Sequence, residues 1–310
     1  MIELSQATRV YGTVIGINDI SVSLAPGAYG LLGPNGAGKT TMLNLLTGQL
    51  HPTMGTVRVF GEDPRNNARV LRRLGVCPGD EAMYTNVSGW AWVRHLLVLH
   101  GYDPPEAGER AVAALRQLAM SDFMHQTIGT YSRGMRQRTK MAQAIAHDPE
   151  LLILDEPFNG LDPIGRHDVT EFLRAWMRRG RSLLLSSHIL SEVEAISDTF
   201  LFISGGRLLA TGTQAELRAL LPSTAQTLRI RCRQPRALAA QLWRCEATSQ
   251  IRLEPDGLLV VVSSQPEQIW RALPGWVAQT GDLIEELDCG DVSLQSLFDT
   301  LMRNYRGAER

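Results

Sequence analysis

Short apolar runs separated by turns fill the first 60 residues, and this alternation predicts an antiparallel sheet at the start of the chain. The run AYGLLG at 28–33 then leads into a glycine-rich loop. After the loop, TTMLNLLTGQL carries apolar residues at helical spacing, namely Met42, Leu45, Leu46 and Leu50. The pattern therefore predicts a strand, a loop and an amphipathic helix in this order.

Residues 83–147 are predicted to be mostly helical. The segment AGERAVAALRQLAM, for example, places Val112, Leu115, Leu118 and Ala119 on one face of a helix. Two continuous apolar runs follow, LLILDEP and SLLLSSH, and such runs are typical of parallel strands buried on both faces. Between them, HDVTEFLRAWMRRG predicts a helix that ends at Gly180 with basic residues in its last turn. The segment TFLFISGGRLLATG predicts a hairpin.

The composition changes near residue 222, after LLPSTAQ. Beyond it, short strands such as LRIRC and LLVVVSS alternate with helical stretches such as EQIWRAL. We therefore expect two domains, residues 1–222 and a small α+β domain at 223–310, ferredoxin-like or similar. Two domains suit a chain of 310 residues.

Composition excludes several classes of protein. The formal net charge of -1 is unlike the basic excess of nucleic-acid binders, so no nucleic-acid partner is expected. The four cysteines lack C-x-x-C spacing, which gives no indication of a zinc or redox site, and reduced thiols suit the cytoplasm. No basic-then-apolar leader opens the sequence, and no apolar run reaches the roughly 18–20 residues that span a bilayer. A role at a membrane would therefore need a partner.

The segment GPNGAGKT fits the phosphate-loop pattern G-x-x-x-x-G-K-[ST]. In such a loop the backbone N–H groups face phosphates, Lys39 would reach the β- and γ-phosphates, and the Thr40 hydroxyl would bind Mg²⁺. The alternative is a glycine-rich turn that binds nothing, and the strand before it and the helix after it argue against that. We expect ATP and Mg²⁺ as ligands. The predicted nucleotide-binding residues are Gly33, Pro34, Asn35, Gly36, Ala37, Gly38, Lys39, Thr40 and Thr41.

Three further residues stand where apolar strands end. Asp155 is the expected carboxylate for Mg²⁺, and Glu156 could polarise the attacking water as a general base. His188 closes the run LLLSSH, at the carboxyl end of a strand, where α/β sheets bind ligands, so we predict a γ-phosphate contact. The structural alternatives are an acidic pair that caps a turn and a histidine that only packs.

A second anion site is predicted in YSRGMRQRTK. Ser132 can cap a helix that begins near Arg133, and Gly134 lets a phosphate approach the backbone. Because the phosphate loop already surrounds one side of a triphosphate, this site would close over a nucleotide held by a second copy of the chain. Tyr11 could stack on adenine, although one tyrosine near an N-terminus is weak evidence.

Together these motifs resemble the ATP-binding subunit of ABC transporters over residues 1–220. The segment YSRGM stands at the family's Leu-Ser-Gly-Gly-Gln signature and matches it at Ser132 and Gly134, and its form is similar to the ABC-2 type exporter branch, which includes multidrug-resistance members. The ending VSLQSLFDTLM is also similar to that branch, with Gln295 at a usually acidic position. The resemblance implies a P-loop NTPase fold with a RecA-like core, an antiparallel β subdomain and a helical subdomain at about 83–147.

The resemblance also implies a mechanism. Two copies pair head to tail and enclose two ATP molecules, each between one copy's phosphate loop and the other's signature. Asp162, in the GLD turn at 160–162, joins the nucleotide-binding residues. Closure and hydrolysis, with Glu156, His188 and Lys39 as catalytic residues, would drive a separate membrane permease. The subunit would then lie in the cytoplasm, on the inner face of the membrane.

One position departs from the family pattern. Where the family has Gln or Glu after the proline that ends the third strand, this sequence has Gly79, followed by Asp80 and Glu81. Either Asp80 or Glu81 substitutes, or the contact is lost; we expect slow but real turnover. Trp90 and Trp92 follow, where the family's transmembrane partner docks, although tryptophan is more often a core residue.

Other functions remain open at this point. The alternatives are a soluble ABC ATPase that acts on ribosomes or DNA, an import ATPase and a catalytically idle regulatory module. The presence of one nucleotide module and the lack of sustained heptads disfavour the first, while Gly79 motivates the last. The transported substrate and the role of residues 223–310 cannot be inferred from the residues.

Overall fold

The computed structural model describes residues 1–80, 82–219, 226–263, 265–281, 283–290, 297–298 and 300–302. By its contacts the chain divides into two compact units, Met1–Thr213 and Gln214–Arg310. Glu81, Gln295 and the predicted boundary near residue 222 lie outside the described residues. Within the described ranges, no helix combines the length and the hydropathy needed to cross a membrane.

The first unit begins with an antiparallel sheet, as the alternating apolar runs predict. Its three strands are β1 (Ile2–Tyr11), β2 (Val14–Leu24) and β4 (Met54–Val59). The central strand β1 pairs Ile2 with Leu24 on one side and with Val59 on the other. The side chains of Ile2 and Ile20 are fully buried and share one core with Leu201 of the larger sheet. The small sheet is therefore packed against the nucleotide-binding core.

The larger sheet has six strands and supports the candidate site. They are β3 (Ala28–Leu32), β5 (Leu74–Cys77), β6 (Leu151–Asp155), β7 (Ser182–Ser187), β8 (Thr199–Ser204) and β9 (Arg207–Thr213). Their order is β5-β6-β7-β3-β8-β9; the first five are parallel, and β9 forms the predicted hairpin with β8. Every residue of β6 and β7 is buried, which confirms them as central strands. The loops after β3, β6 and β7 therefore meet at one edge.

Four helices belong to this core, with short α2 and α7 among them. They are α1 (Lys39–Leu46), α2 (Ala68–Leu71), α6 (Pro163–Arg178) and α7 (Leu190–Glu194). Met42, Leu45 and Leu46 of α1 are buried as predicted, while Leu50 packs partly buried beyond the helix end. The helix α6 ends just before Gly180, whose φ of 76° is the left-handed conformation expected at a helix end.

Residues 83–147 hold three helices and a 3-10 turn. They are α3 (Gly89–Leu99), α4 (Pro104–Gln117), the turn Ile128–Thr130 and α5 (Arg133–Ile145). The predicted apolar face of α4 is confirmed at Leu115 and Leu118, which are buried, and Val112 is half-buried. The prediction is wrong at Ala119, which is exposed. The physical reason is that α4 stops at Gln117 and Ala119 turns the chain with a φ of 54°.

The second unit opens with α8 (Gln214–Ala219). A βαββαβ motif follows: β10 (Gln226–Cys232), α9 (Pro235–Trp243), β11 (Thr248–Leu253), β12 (Leu258–Ser263), α10 (Pro266–Thr280) and β13 (Ile284–Gly290). The sheet order is β11-β12-β10-β13 with all pairs antiparallel, which is the ferredoxin-like arrangement. Leu228, Leu238 and Val261 lie in its core. The small α+β fold predicted here is confirmed.

Candidate functional site

The phosphate loop joins β3 to α1 at the carboxyl end of a central strand. Gly38 has a φ of 108° directly before α1 begins, a conformation that glycine adopts at little cost. The free N–H groups of a first helical turn attract anions, so this geometry fits a nucleotide phosphate. The predicted residues thus form one continuous strand-loop-helix segment, made of Gly33, Pro34, Asn35, Gly36, Ala37, Gly38, Lys39, Thr40 and Thr41.

Lys39 lies between the loop and an acidic residue. Its ammonium group is buried and donates hydrogen bonds to the carbonyl oxygens of Gly33 (2.7 Å) and Pro34 (3.3 Å). The same Nζ atom lies 3.6 Å from Oε1 of Glu156. A positive charge at this position can stabilise negative charge on a phosphate held by the loop. The phosphate contact of Lys39 stays a prediction that the geometry fits.

Thr40 and Asp155 are in direct contact at the predicted magnesium site. The Thr40 hydroxyl donates a hydrogen bond of 2.7 Å to Oδ2 of Asp155, and the Ser186 hydroxyl donates one to Oδ1 of the same carboxylate. Asp155 is buried as the last residue of β6. Hydroxyl and carboxylate oxygens are hard ligands of the kind that Mg²⁺ prefers. The donor set therefore fits the metal, whose binding stays a prediction.

Glu156 is held in an uncommon backbone conformation next to His188. Its φ is 50°, and its N–H group donates to the hydroxyl (3.0 Å) and carbonyl (3.2 Å) oxygens of Ser186. Such positive-φ residues cluster at functional sites. Oε2 of Glu156 lies 2.8 Å from Nδ1 of His188, whose side chain is 44% exposed. A carboxylate oriented in this way can accept a proton, while the accessible imidazole can contact a phosphate.

The signature segment, residues 131–135, starts α5 and packs on the GLD turn. The Ser132 hydroxyl accepts a hydrogen bond of 3.2 Å from the N–H of Met135, which confirms the predicted cap. A Cβ at Gly134 would stand 3.1 Å from the carbonyl oxygen of Gly160. The Asp162 carboxylate caps α6 by accepting a hydrogen bond of 3.0 Å from the N–H of Gly165. Nucleotide contacts of Ser132, Gly134 and Asp162 stay predictions.

Tyr11 lies beside the end of the phosphate loop. A Cβ at Gly16 would be 2.7 Å from Cε2 of Tyr11 and 3.0 Å from Cγ2 of Thr41, so both side chains lie over Gly16. The ring is 41% exposed, and the Arg9 guanidinium lies 4.9 Å from its centroid. An exposed ring near the loop fits the predicted adenine contact. The sequence analysis missed Gly16, although a lone glycine in a strand pattern indicates a close approach.

Ser186 is a second residue that the sequence analysis missed. It is fully buried in β7 and its hydroxyl connects the two acidic residues, since it donates to Asp155 and accepts from the Glu156 backbone. The indication was present in the run SLLLSS, because a hydroxyl inside a buried strand needs a hydrogen-bond partner. Ser186 therefore orients the Asp155 carboxylate and holds the backbone of Glu156.

A third acidic side chain lies near His188. Glu192 of α7 accepts a hydrogen bond of 2.7 Å from the Ser187 hydroxyl and lies 3.2 Å from the Arg166 guanidinium. Burial raises the pKa of the Glu192 carboxyl, while Ser187 and Arg166 act in the opposite direction. Glu192 therefore links α6 and α7 behind the strand end that carries His188.

Gly79 stands against the candidate metal site. A Cβ at this position would lie 3.0 Å from Oδ2 of Asp155. Next to it is a cavity of about 90 Å³, whose polar lining comprises Thr40, Asn44, Thr47, Gln49, Asp80 and Asp155. Of the two acidic residues considered as substitutes, Asp80 borders the same cavity as Asp155. The backbone around Gly79 is held by Lys140 of α5, another residue that the sequence analysis did not identify.

Trp90 and Trp92 are both half-buried but differ in their contacts. Trp90 donates a hydrogen bond of 3.2 Å to the carbonyl oxygen of Gly108 in α4, so it joins two helices of the same region. Trp92 donates to Gln143 and meets the exposed ring of Tyr84 edge-on, with centroids 5.5 Å apart. The predicted interface role suits Trp92 better and stays a prediction.

Comparison with known proteins supplies the family. The family model described as ABC transporter matches residues 17–159. The daunorubicin/doxorubicin resistance ATP-binding protein DrrA of Streptomyces peucetius is 33% identical over 302 residues, 96% of this chain and 91% of the relative. The Nod factor export ATP-binding protein I of Burkholderia orbicola is 38% identical over 217 residues, 68% of this chain and 70% of the relative.

A solved structure agrees in fold. The dimeric structure of a bacterial ABC transporter cassette matches with a TM-score of 0.64 at 19% identity, over 69% of this chain and 98% of that one. The predicted ABC ATPase fold is thereby confirmed. One relative aligns over nearly the whole chain, and the motifs occur in the family's order. The chain therefore belongs to the ATP-binding proteins of ABC transporters, and its nucleotide is ATP.

Proposed function

We propose that this chain is the ATP-hydrolysing subunit of an ABC-2 type exporter. The observation that carries the proposal is the position of the Glu156 carboxylate, 2.8 Å from Nδ1 of His188 and 3.6 Å from Nζ of Lys39. A base, a cation and an accessible imidazole thus converge beside the phosphate loop. A general base next to groups that stabilise negative charge on phosphate favours hydrolysis of a phosphoanhydride bond.

The chemistry divides among the side chains as follows. Glu156 accepts a proton from the water that attacks the γ-phosphorus, and the bond to the β,γ-bridging oxygen breaks to release ADP and phosphate. His188 keeps the Glu156 carboxylate oriented and contacts the γ-phosphate. Lys39 and the loop amides stabilise the negative charge on the phosphates. Thr40 and Asp155 would hold Mg²⁺, which when bound neutralises charge between the β- and γ-phosphates.

A second copy of the chain completes the site. In the proposal, each ATP lies between the phosphate loop of one copy and Ser132, Gly134 and Asp162 of the other. Ser132 is exposed at the start of α5, where a partner's phosphate can reach it, and Gly134 packs on the GLD turn. The dimeric state of the related bacterial cassette supports this arrangement. ATP then holds the dimer closed, and hydrolysis releases it.

Closure would be transmitted to a separate membrane permease. The names of the two relatives, one a drug-resistance protein and one an export protein, favour export over import and over a role on ribosomes or DNA. In the proposal, the subunit is bound to the permease on the cytoplasmic face of the membrane. The transported compound would be chosen by the permease.

Mixing two inactive variants tests the shared site. Lys39→Ala disables the phosphate loop, and Ser132→Arg blocks the signature. In a mixed dimer, one site receives both defects and the other receives neither. Equal mixing is therefore expected to restore about a quarter of the wild-type ATPase rate, measured as phosphate release. A mixture no more active than its components contradicts the shared site, and an inactive wild-type protein contradicts hydrolysis itself.

A further inference from the structure

Lysine is rare in this chain. Of its 31 basic residues 29 are arginine, and the two lysines are Lys39 and Lys140. Both are buried, with exposed fractions of 7% and 3%. Lysine offers a compact ammonium on a thin stem, whereas arginine carries a wide planar group. In a chain that otherwise uses arginine, both lysines are therefore buried cations, and Lys140 is the one that lies outside the phosphate loop.

Lys140 holds the backbone on both sides of Gly79. Its ammonium donates hydrogen bonds to the carbonyl oxygens of Pro78 (2.9 Å) and Asp80 (2.7 Å). A buried charge is costly unless it is well hydrogen-bonded, so these carbonyls stabilise the cation, and the cation in turn fixes the carbonyls. The loop after β5 is thus fastened to α5 through its main chain.

The same loop also contacts the candidate metal site. A Cβ added at Gly79 would lie only 3.0 Å from Oδ2 of Asp155, so the backbone of residue 79 packs directly on that carboxylate. Asp155 in turn accepts the hydrogen bond from Thr40. The loop after β5 therefore contacts both Lys140 and Asp155.

The helix α5 also holds the neighbouring loop. Gln137, which is buried one turn before Lys140, donates a hydrogen bond of 2.9 Å to the carbonyl oxygen of Pro157, directly after Glu156. Ser132 lies at the start of the same helix. A displacement of α5 would therefore move the signature, the loop after β5 and the loop after β6 together.

We propose that Lys140 is a positioning residue. Through the backbone of Gly79, it couples the position of α5, and therefore of Ser132, to the position of the Asp155 carboxylate. This contact stands in for the side chain that residue 79 lacks. The inference rests on the proposed function, because it assumes that Mg²⁺ and ATP bind at Thr40 and Asp155. Loss of the ammonium would free the loop and weaken the metal site without touching the phosphate loop.

The test is the enhancement of ATP binding by Mg²⁺. It is measured as the Kd of a fluorescent ATP analogue in EDTA divided by its Kd in Mg²⁺. Lys140→Met is expected to lower this ratio about tenfold, within the usual range of coupling between sites, with the Kd in EDTA unchanged. The control is Arg138→Met on the same helix, which loses a partly exposed ion pair with Asp168 and keeps the wild-type ratio. A folded Lys140→Met protein with the wild-type ratio overturns the inference.

A second measurement needs no variant. Coupling is reciprocal, so Mg²⁺ must stabilise the Lys140 contact as much as the contact favours Mg²⁺. In wild-type protein with ATP, adding Mg²⁺ is expected to slow the labelling of Lys140 by an amine reagent about tenfold, followed by peptide mass analysis. An equal rate of Lys140 labelling with and without Mg²⁺ overturns the inference. Slower labelling of Lys39 when ATP is added in EDTA measures nucleotide binding independently of Mg²⁺. If ATP does not protect Lys39, the proposed function fails, whatever the result for Lys140.

Discussion

Oε2 of Glu156 and Nδ1 of His188 lie 2.8 Å apart and are joined by a hydrogen bond. The bond connects the residues that follow β6 and β7, two neighbouring parallel strands. It orients the carboxylate toward Lys39 and leaves the imidazole partly exposed. We infer that the two residues act as one unit in hydrolysis, with Glu156 as the base.

Replacing Glu156 by glutamine separates binding from hydrolysis. The amide keeps the size of the side chain but cannot accept a proton, so kcat is expected to fall at least about 100-fold while the Kd for ATP changes little. Phosphate release and ATP binding measure the two effects. The matched control is Glu194→Gln on α7, an exposed position, which keeps the wild-type rate. Turnover of Glu156→Gln at the wild-type rate would show that another group is the base.

Ser186→Ala is expected to damage the metal site. The change leaves Oδ1 of the buried Asp155 without this donor and removes one of two acceptors from the Glu156 N–H. A buried group left unpaired costs about 1–3 kcal/mol, so the Mg²⁺ enhancement of ATP binding should fall about tenfold. Ser182→Ala at the other end of β7 makes the same chemical change and should leave the enhancement intact. Equal behaviour of the two variants would contradict the role of Ser186.

His147 is expected to make stability depend on pH. It lies in a cleft of about 590 Å³ against His100, with ring centroids 4.4 Å apart, and is hydrogen-bonded to the carbonyl oxygen of Leu74 at 2.8 Å. Burial, with a smaller contribution from His100, lowers the pKa of His147 from 6.5 to about 4. A lowered histidine pKa means that the unfolded chain binds the proton first. The stabilising contribution is therefore present above about pH 6.5 and is lost as the pH falls toward about 4.

The size of this effect follows from the shift. The difference between the two pKa values corresponds to about 3 kcal/mol of unfolding free energy once the pH is below both of them. Denaturant unfolding of the wild-type protein and of His147→Gln at pH 7 and pH 5 isolates the contribution. The wild-type protein should lose more stability than the variant between these pH values. An equal loss in both proteins would contradict the assignment to His147.

Trp90 and Trp92 should respond differently to substitution by alanine. Trp90 ties α3 to α4 through its bond to Gly108, so Trp90→Ala should lower the unfolding free energy by about 2 kcal/mol. Trp92 and the exposed Tyr84 form a surface that suits a membrane partner, so Trp92→Ala should weaken binding to permease-containing membranes about tenfold with less effect on stability. Sedimentation with such membranes measures the second effect. Binding of Trp92→Ala to these membranes at the wild-type level would contradict a role of this surface in docking the permease.

Much of the fold was accessible from the sequence because its strongest patterns are local. The strand β6 is an unbroken apolar run, and Ser132 caps α5 at the position that its residue type predicts. The end of α4 was missed because Ala119 adopts a positive φ that its residue type does not indicate. Ser186 and Lys140 were missed for another reason. Their partners are 31, 62 and 60 residues away in the chain, and only the packing of the strands and of α5 brings them together.

The most direct test of the exporter proposal is to recover the partner. Tagged Glu156→Gln protein, with ATP and Mg²⁺ to hold the dimer closed, is purified from detergent-solubilised membranes of the native host, and co-purifying proteins are identified by mass spectrometry. Lys39→Ala, which cannot hold the nucleotide, is the control. We predict a polytopic membrane protein in stoichiometric amount with Glu156→Gln. Recovery of ribosomes, of nucleic-acid-binding factors or of the chain alone, from protein shown to bind ATP, would contradict the proposed role in export.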